Sequence, residues 1–557
     1  MRKLLPVIAA CLLTLSCRSG PDLKTWFVDP LIKVFPDERK GWHTESGVPC
    51  LVARNGHASL QLAILSSARI PDLTVTVKPP ANGSQQLEAR VRWAGYVPVG
   101  SNPPGTPYDE IIRTAPALYP DPLFEQFPFS LEGGRTTPIW VTVHAPPGAK
   151  PGRYSGELSF TAAGRTLKNV PFSAQVTGAT VPEERSLRVT NWFWLDKEGL
   201  SRHFQLGDDE TRYWELLANF GRVLAEHRQN VILTPVTSLA KPSVEGGTIR
   251  WSFDEFDRWV ETFRKAGVIG TIEGGHLLGR ASGYQTSLVV PSCIIEGGKP
   301  VWKQLDPDDP RAEAYLDQFL SALYAHLKQK GWQTSYIQHI HDEPHEKEAP
   351  YYNRYAKIIR RNLPGVPSFD AVSLDQDIGF FSDVCDIWVP VLGSFDQQFD
   401  AIREHVAKGG EAWFYTCIGP QGRHLNRFID LPLVKTRLLH WFNFRHNMTG
   451  FLHWGGNYWP PKPLKNVQPV INDNHTLLPA GDNAIVYPDR DRLSILSSIR
   501  FEAMREGIED YELLSQLAKR DPGKAAKLAQ TAIPHVSDYV RDVGAFRKLE
   551  RQLLEVE

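Results

Sequence analysis

The sequence predicts a multidomain chain that joins an N-terminal β-sandwich to a (β/α)8 barrel followed by C-terminal helices. Three observations predict it. To about residue 180, short apolar runs are punctuated by Gly and Pro turns, and no long 3.6-residue period interrupts them. From about Leu187, short apolar runs alternate with long amphipathic stretches, the pattern of parallel strands joined by helices. At 557 residues the chain is too long for one core and suited to two.

Each element follows in order. Arg2 and Lys3, the apolar run Leu4 to Leu15, and Ser16 before Cys17 read as a lipoprotein signal peptide over residues 1–17, with Cys17 as the lipid anchor. The run is too short to span a bilayer. The rival reading is a cleaved secretory signal with a spare cysteine. Both predict export, to a bacterial cell envelope and an outer-membrane lipoprotein in the first case. Residues 18–40 read as a tether and residues 41–182 as the sandwich, with strands at Ala58 to Leu65, Leu73 to Val77, Leu87 to Trp93, Ile139 to Val143 and Tyr154 to Phe160.

Residues 183–495 read as the barrel. Its strands are predicted at Val189 to Trp194, Asn230 to Pro235, Thr271 to Gly274, Tyr336 to His341, Ser368 to Ala371, Ile387 to Val391, Glu411 to Tyr415 and Gly450 to Trp454. Helical patterns separate them, among them Tyr213 to Gln229, Arg311 to Lys330 and Leu433 to His446. An open doubly wound sheet is the rival, but no GxGxxG follows an early strand. Gly481 to Tyr487 reads as a further strand. In the tail, residues 496–557, Leu496 to Leu517, Gly523 to Ile533 and His535 to Leu554 read as helices packed on the barrel.

Composition narrows the function classes. Sixty-two basic against sixty-three acidic residues leave a formal charge of -1, so no global field draws the chain to nucleic acid. A neutral substrate fits better, and 16 Trp with 17 Tyr supply rings of the kind that stack on sugars or fill cores. Beyond the leader, Cys50, Cys293, Cys385 and Cys417 show no CxxC spacing, which argues against zinc and for free thiols.

In a (β/α)8 barrel, reactive groups sit where strands end at the C-terminal face. The fourth predicted strand ends in His339, Ile340, His341, Asp342, Glu343, Pro344, His345: two adjacent carboxyls, flanked by histidines and stopped by a proline. Such a pair is also an ordinary turn or helix-entry signal. As chemistry, the adjacency is informative. Glycosidases that use two carboxylates place them on opposite sides of the anomeric carbon, which sequence neighbours rarely do. Neighbouring carboxyls instead suit substrate-assisted catalysis, with Asp342 holding a 2-acetamido N–H and Glu343 as general acid then base. The alternatives are a β-glycosidase on a sugar without the acetamido group, with Glu273 or Asp386 conceivable as the separate nucleophile, and a non-catalytic glycan-binding lipoprotein. A metal reading also exists, since His339, His341 and Glu343 alternate on one strand face, but the HExxH spacing is missing. The expectation is no metal and no cofactor.

The run His339 to Pro344 is similar to the DEP segment of glycoside hydrolase family 123, the exo-β-N-acetylgalactosaminidases. The resemblance extends through GFLHWGGNYW at Gly450 to Trp459, GDNAIVYP at Gly481 to Pro488 and SSIRFEAMREGIEDYEL at Ser497 to Leu513. ARNGHASLQLAIL at Ala53 to Leu65 and Pro138 to Gly156 also look like that family's sandwich. The resemblance implies a retaining enzyme acting on a terminal N-acetylhexosamine of a glycan, with Asp342 stabilising the acetamido group and Glu343 as acid/base. His341 and Gly56 stand where a smaller and an acidic residue, respectively, are usual.

Supporting residues are predicted at neighbouring strand ends. Tyr415 would orient the acetamido carbonyl, or else be a buried tyrosine on a backbone partner. Trp454, Asn457, Tyr458 and Trp459 would clamp the sugar, the two glycines before them favouring a loop over packed core. His276, Trp194 and His341 are further candidates with equal structural readings. Arg500, Arg505, Glu506, Glu509 and Asp510 read as part of a salt-bridged helix docking against the barrel, with Glu502/Glu506 and Arg505/Glu509 at i,i+4 spacing, and not as chemistry.

Overall fold

The computed structural model describes residues 22–39, 50–283, 286–373, 384–472 and 475–555. The signal segment and Cys17 lie outside the described residues. Among those residues no helix is long and apolar enough to cross a membrane.

The N-terminal region is two sheets over one apolar core. Leu23–Val28, Gly56–Ser66, Thr137–Ala145, Glu88–Val99 and Ala117–Phe124 form one, in that spatial order and antiparallel throughout. Cys50–Arg54, Arg165–Thr180, Gly152–Ala162, Ile70–Asn82 and Gln85–Gln86 form the path of the other. Alternate residues such as Leu62, Ile64, Leu73, Val75, Leu158 and Phe160 point inward and meet. Burying them at roughly 1.5–3 kcal/mol per large side chain drives the pairing. All five predicted strands exist, four within longer ones and the third starting one residue later, at Glu88. Ala117–Phe124 and Arg165–Thr180 are additions, the first masked in sequence by its prolines.

The tether expectation is corrected here. Residues 23–28 are an edge strand whose Trp26 and Val28 are buried, and Lys33 donates from its Nζ to the carbonyls of Ile429 and Leu431 at 2.5 and 2.9 Å. Alternating apolar residues paired to Gln61 through Ser66 outweigh the freedom of a linker.

Eight short parallel strands follow: Arg188–Asn191, Val231–Thr234, Thr271–Gly274, Tyr336–Gln338, Phe369–Val372, Ile387–Pro390, Glu411–Thr416 and Gly450–His453, each at its predicted place. They form two sheets. The first, eighth, seventh, sixth and fifth lie in that order, and the second, third and fourth in theirs. One parallel bridge, Gln338 to Ser368, links the fourth strand to the fifth. Between first and second no ladder forms; Asn230 spans the seam, accepting from Val189 N at 2.9 Å and donating to Leu187 O at 2.9 Å. The C-terminal region is thus an α/β domain in which two parallel sheets stand where one closed barrel was expected.

Two tail expectations change. Gly481 to Ala484 is not a strand, because Arg500 takes the Gly481 and Ala484 carbonyls (2.9 and 2.8 Å) and a strand begins only at Tyr487. The last helix is Val543–Leu554, not His535 to Leu554: Asp542 accepts from Ala545 N and fixes its start.

The long tail helix Ile499–Arg520 is buried along most of its length, and its charges reach across the domain boundary. Arg500 grips Asp121 with two hydrogen bonds of 2.9 and 2.8 Å, Glu502 pairs with Arg92 at 2.8 Å, and Glu509 accepts from His57 N at 2.8 Å. Arg437 of helix Leu433–Arg445 binds Glu506 and Asp510. These contacts replace the i,i+4 pairs expected. They also explain Gly56: a Cβ there would lie 2.9 Å from Val181 Cγ2 and 3.3 Å from Glu509 Oε2.

Candidate active site

The ladder of the fourth strand stops at Gln338, and the chain then turns outward. His339, His341 and Glu343 therefore do not share a strand face. The turn is held by Asp370 of the fifth strand, which accepts from Ile340 N, His341 N and Tyr352 Oη at 3.1, 3.3 and 2.7 Å. Leu277 N and Leu278 N, beyond the third strand, donate to Ile340 O. Glu343 itself has φ of +43°, a left-handed conformation unusual outside glycine and common where surrounding structure fixes a functional side chain.

Arg280 supplies that fixing. Its guanidinium donates to Asp342 O and Glu343 O, both at 3.0 Å, and to Glu348 Oε2 at 3.2 Å. Glu348 also accepts from His345 N at 2.8 Å and lies 3.5 Å from His341 Nε2, and these partners with the Arg280 charge hold its carboxyl down to about 2. One buried arginine thus pins both carbonyls of the acidic pair.

The two side chains differ. Burial pushes the Asp342 carboxyl above its ordinary value, against the charges of His341, His339 and Arg280. Glu343 Oε1 accepts a short hydrogen bond from the hydroxyl of Tyr415 at the end of the seventh strand. Burial and that carboxylate raise the Tyr415 phenol well above its usual range. Tyr415 therefore meets the acidic pair as predicted, but through Glu343.

Beneath them lies a buried ionic layer. His339 is bonded through Nδ1 to Asp370 Oδ1 and through Nε2 to Glu273 Oε1, both at 2.9 Å, and Glu273 also accepts from Thr190 Oγ1 and Trp192 Nε1 at 2.7 Å. Burial alone would lower the imidazole; the two carboxylates outweigh it and raise His339 to about 9. His276, Trp192 and Phe369 pack their rings on it. His276, His339 and Asp370 bring potential metal-binding atoms within 4.8 Å of one another. An imidazolium that donates from both nitrogens has no lone pair for a metal.

The aromatic candidates divide. Trp194 is 48% exposed, Tyr458 stands 6.2 Å from it edge-on, and Trp454 lies 5.6 Å from Tyr458, an arc of rings beyond the first and eighth strands. Asn457 is buried behind the arc, accepting from Trp194 N at 2.7 Å and donating to Trp194 O at 3.1 Å, so it positions the ring rather than offering itself. Trp459 is a correction: it packs against His203, Phe204 and Phe220 and donates to Val486 O, because the amphipathic helices Lys197–Phe204 and Glu210–Glu226 present an apolar face there. His341 and His276 lie within the supporting layer.

Sequence reasoning missed four residues here. Arg280 is far from the DEP run in sequence. Asp370 and Trp192 sat inside predicted strands, where a carboxylate in an apolar run was the available signal. Asp482, in the GDNAIVYP motif, accepts from Trp454 Nε1 at 3.2 Å and is pushed up to about 7 by burial. Cys417 is raised by burial and by the charges of Glu343 and Asp482, which ties Asp482 to the same neighbourhood. All four described cysteines are free thiols. Asp386, conceivable as a separate nucleophile, precedes the sixth strand at its N-terminal end and binds Ser368 and Arg360, away from this face.

A family model described as the glycoside hydrolase 123 catalytic domain matches residues 194–517. Among solved structures, a family 123 glycoside hydrolase from Clostridium perfringens, reported for glycolipid glycan hydrolysis, aligns with a TM-score of 0.74 at 16% identity, covering 92% of this chain and 91% of that one. A family 39 glycoside hydrolase from Bacteroides cellulosilyticus (TM-score 0.35, 10% identity, 83% and 81% covered) and a GH5 xyloglucanase from Bacteroides ovatus (0.30, 9%, 82% and 98%) are remote. No curated protein matches. The matched span exceeds half the chain and contains the whole acidic turn, and the chain belongs to glycoside hydrolase family 123.

Proposed function

We propose that this hydrolase removes terminal β-linked N-acetylgalactosamine, or a related N-acetylhexosamine, by substrate-assisted retention at the mouth of a (β/α)8 barrel formed by the two parallel sheets. The observation that carries the reading is that Asp342 and Glu343 are sequence neighbours pinned by one arginine. Fixed in this way, the pair acts from one side of a sugar, and the attacking group must come from the substrate.

In that scheme the acetamido oxygen attacks the anomeric carbon as Glu343 gives its proton to the leaving oxygen. Asp342 accepts the acetamido N–H and stabilises the cationic ring that forms. Water then opens the ring as Glu343 takes its proton. Tyr415, poised on Glu343, turns to the acetamido carbonyl once a sugar enters. Trp194, Tyr458 and Trp454 stack on the sugar. The Clostridium perfringens relative's reported action on glycolipid glycans makes a glycoconjugate the natural substrate class. Export through the leader and anchoring at Cys17 belong to the same reading; a Cys17→Ser chain that still partitions with membranes would remove the anchor from it.

Hydrolysis of aryl β-glycosides of N-acetylgalactosamine, N-acetylglucosamine and galactose tests the reaction. Preference for the first two, inhibition by an N-acetylated thiazoline analogue, and loss in Glu343→Gln are expected. Equal cleavage of plain galactoside would remove the substrate's acetamido group from the mechanism.

A further inference from the structure

A cavity of about 620 Å³ lies where the N-terminal sheets meet the tail helices, between strands Gly56–Ser66 and Arg165–Thr180 on one side and helices Ile499–Arg520 and Val543–Leu554 on the other. Sites for small ligands are typically of about this size, roughly 300–1,000 Å³. None of Asp342, Glu343 and Tyr415 lines it. Arg153, Ser155 and Arg551, which do, are exposed, so the hollow has an entrance.

Its polar wall is incomplete. Glu506 is 4% and Ser173 6% exposed, and Glu506 Oε1 and Ser173 Oγ find no hydrogen-bond partner among the described residues. Ser59 stands beside the Glu506 carboxylate on the same wall. A buried polar atom left unpaired costs about 1–3 kcal/mol, so two on one hollow call for an occupant that supplies both donors and acceptors.

The charges say which kind. Arg437 is already engaged by Glu506, Asp510 and Glu550, and Arg547 by Asp29 and Glu550. Both guanidinium groups are committed to carboxylates, which disfavours an anion. Glu506 and Asp510 are both countered by the Arg437 guanidinium, so a cation is not required either. Phe27 and Phe172 give the hollow apolar ring surface beside these polar atoms. Hydroxyl groups on a carbon ring match that combination of acceptors, hydroxyls and aromatic faces.

We propose that this cavity is a second binding site, for a small neutral sugar or similar cyclic polyol, separate from the catalytic turn. It stands independently of the substrate assigned to Asp342 and Glu343.

The test uses the full chain carrying Glu343→Gln, titrated calorimetrically and by ligand-observed NMR with galactose, N-acetylgalactosamine and lactose, and with inorganic phosphate as the anionic control. A saturable sugar-binding component is expected that weakens at least about tenfold in Ser173→Ala, which removes the hydroxyl without adding bulk, and in Ser173→Phe, which fills the hollow. Phosphate should not compete for it. With Glu343 intact, both Ser173 variants should keep wild-type kcat on the aryl glycoside. If Ser173→Phe fails to fold, Ser173→Ala carries the comparison. Sugar binding indifferent to Ser173, no binding of any of the three sugars beyond the component lost in Asp342→Asn, or displacement by phosphate would each overturn the proposal. Loss of hydrolysis in the parent chain bears only on the catalytic reading.

Discussion

Two regions of this chain concentrate carboxylates, and they use them in opposite ways. On the helix Ile499–Arg520, Glu502, Glu506, Glu509, Asp510 and Glu512 are all buried, and each meets a cation, a serine or backbone N–H groups of another element. At the acidic turn, Asp342 and Glu343 have their backbone held by Arg280, while their side chains remain half-buried and Glu343 accepts from the Tyr415 hydroxyl. In the first region the guanidinium groups bind the carboxylates themselves; in the second, the guanidinium binds the backbone carbonyls of the acidic pair. Carboxylates gathered in one region are therefore read by which of their atoms the neighbouring cations hold.

The largest effect that would sharpen this contrast is Glu343→Gln. It should lower kcat by about 10²–10⁴-fold, the range of lost general acid–base help, with the thermal midpoint nearly unchanged. A folded variant with near-wild-type kcat would end the assignment. Arg500→Ala should do the reverse: it leaves Asp121 charged and unpaired, costing about 3–5 kcal/mol of stability by denaturant titration, with kcat per folded molecule retained.

The buried His339 layer should show in stability against pH. Its folded value is raised to about 9 from an ordinary 6.5. The stabilisation is therefore fully present below about pH 6.5 and is lost as pH rises through 9, amounting to about 3 kcal/mol. Chemical denaturation at pH 7 and pH 10 should reveal the loss, and His339→Gln should flatten that part of the profile.

Arg280→Met should sit between the two regions, lowering kcat by about tenfold or more through a relaxed Glu343 backbone and stability by about 1–3 kcal/mol through the loss of Glu348's guanidinium partner. A change in stability with kcat untouched would make Arg280 a scaffold residue only. Smallest is Trp194→Ala, expected to raise KM several-fold through lost stacking, with kcat held, as measured by initial rates.

Most of the fold was legible in the sequence. All eight parallel strands stand at their predicted places because each is a short apolar run between long helices, and periodicity records that alternation locally. The acidic pair was legible for a similar reason: carboxyls before a proline at a strand end are a local signal. Less legible were residues whose roles depend on another element. Trp459 lies in the same aromatic run as Tyr458 but turns into the helical layer, and Asn457 serves Trp194's backbone, not a ligand. The residues 23–28 strand lacked any sign that the edge of Gly56–Ser66 awaited it.

Hydrophobic period, turn residues and adjacent acids are properties of neighbouring positions, so the sequence by itself determined the two-part architecture, the strand order along the chain and the place of Asp342 and Glu343. Which charges meet is not a local property. Arg280 reaches the carbonyls of residues 342 and 343, Arg500 reaches Asp121, and the helix read as salt-bridged along itself bonds to the N-terminal sheets instead. Only the tertiary structure decided those pairings, because a buried charge settles where desolvation is best compensated, and that partner is set by packing in space.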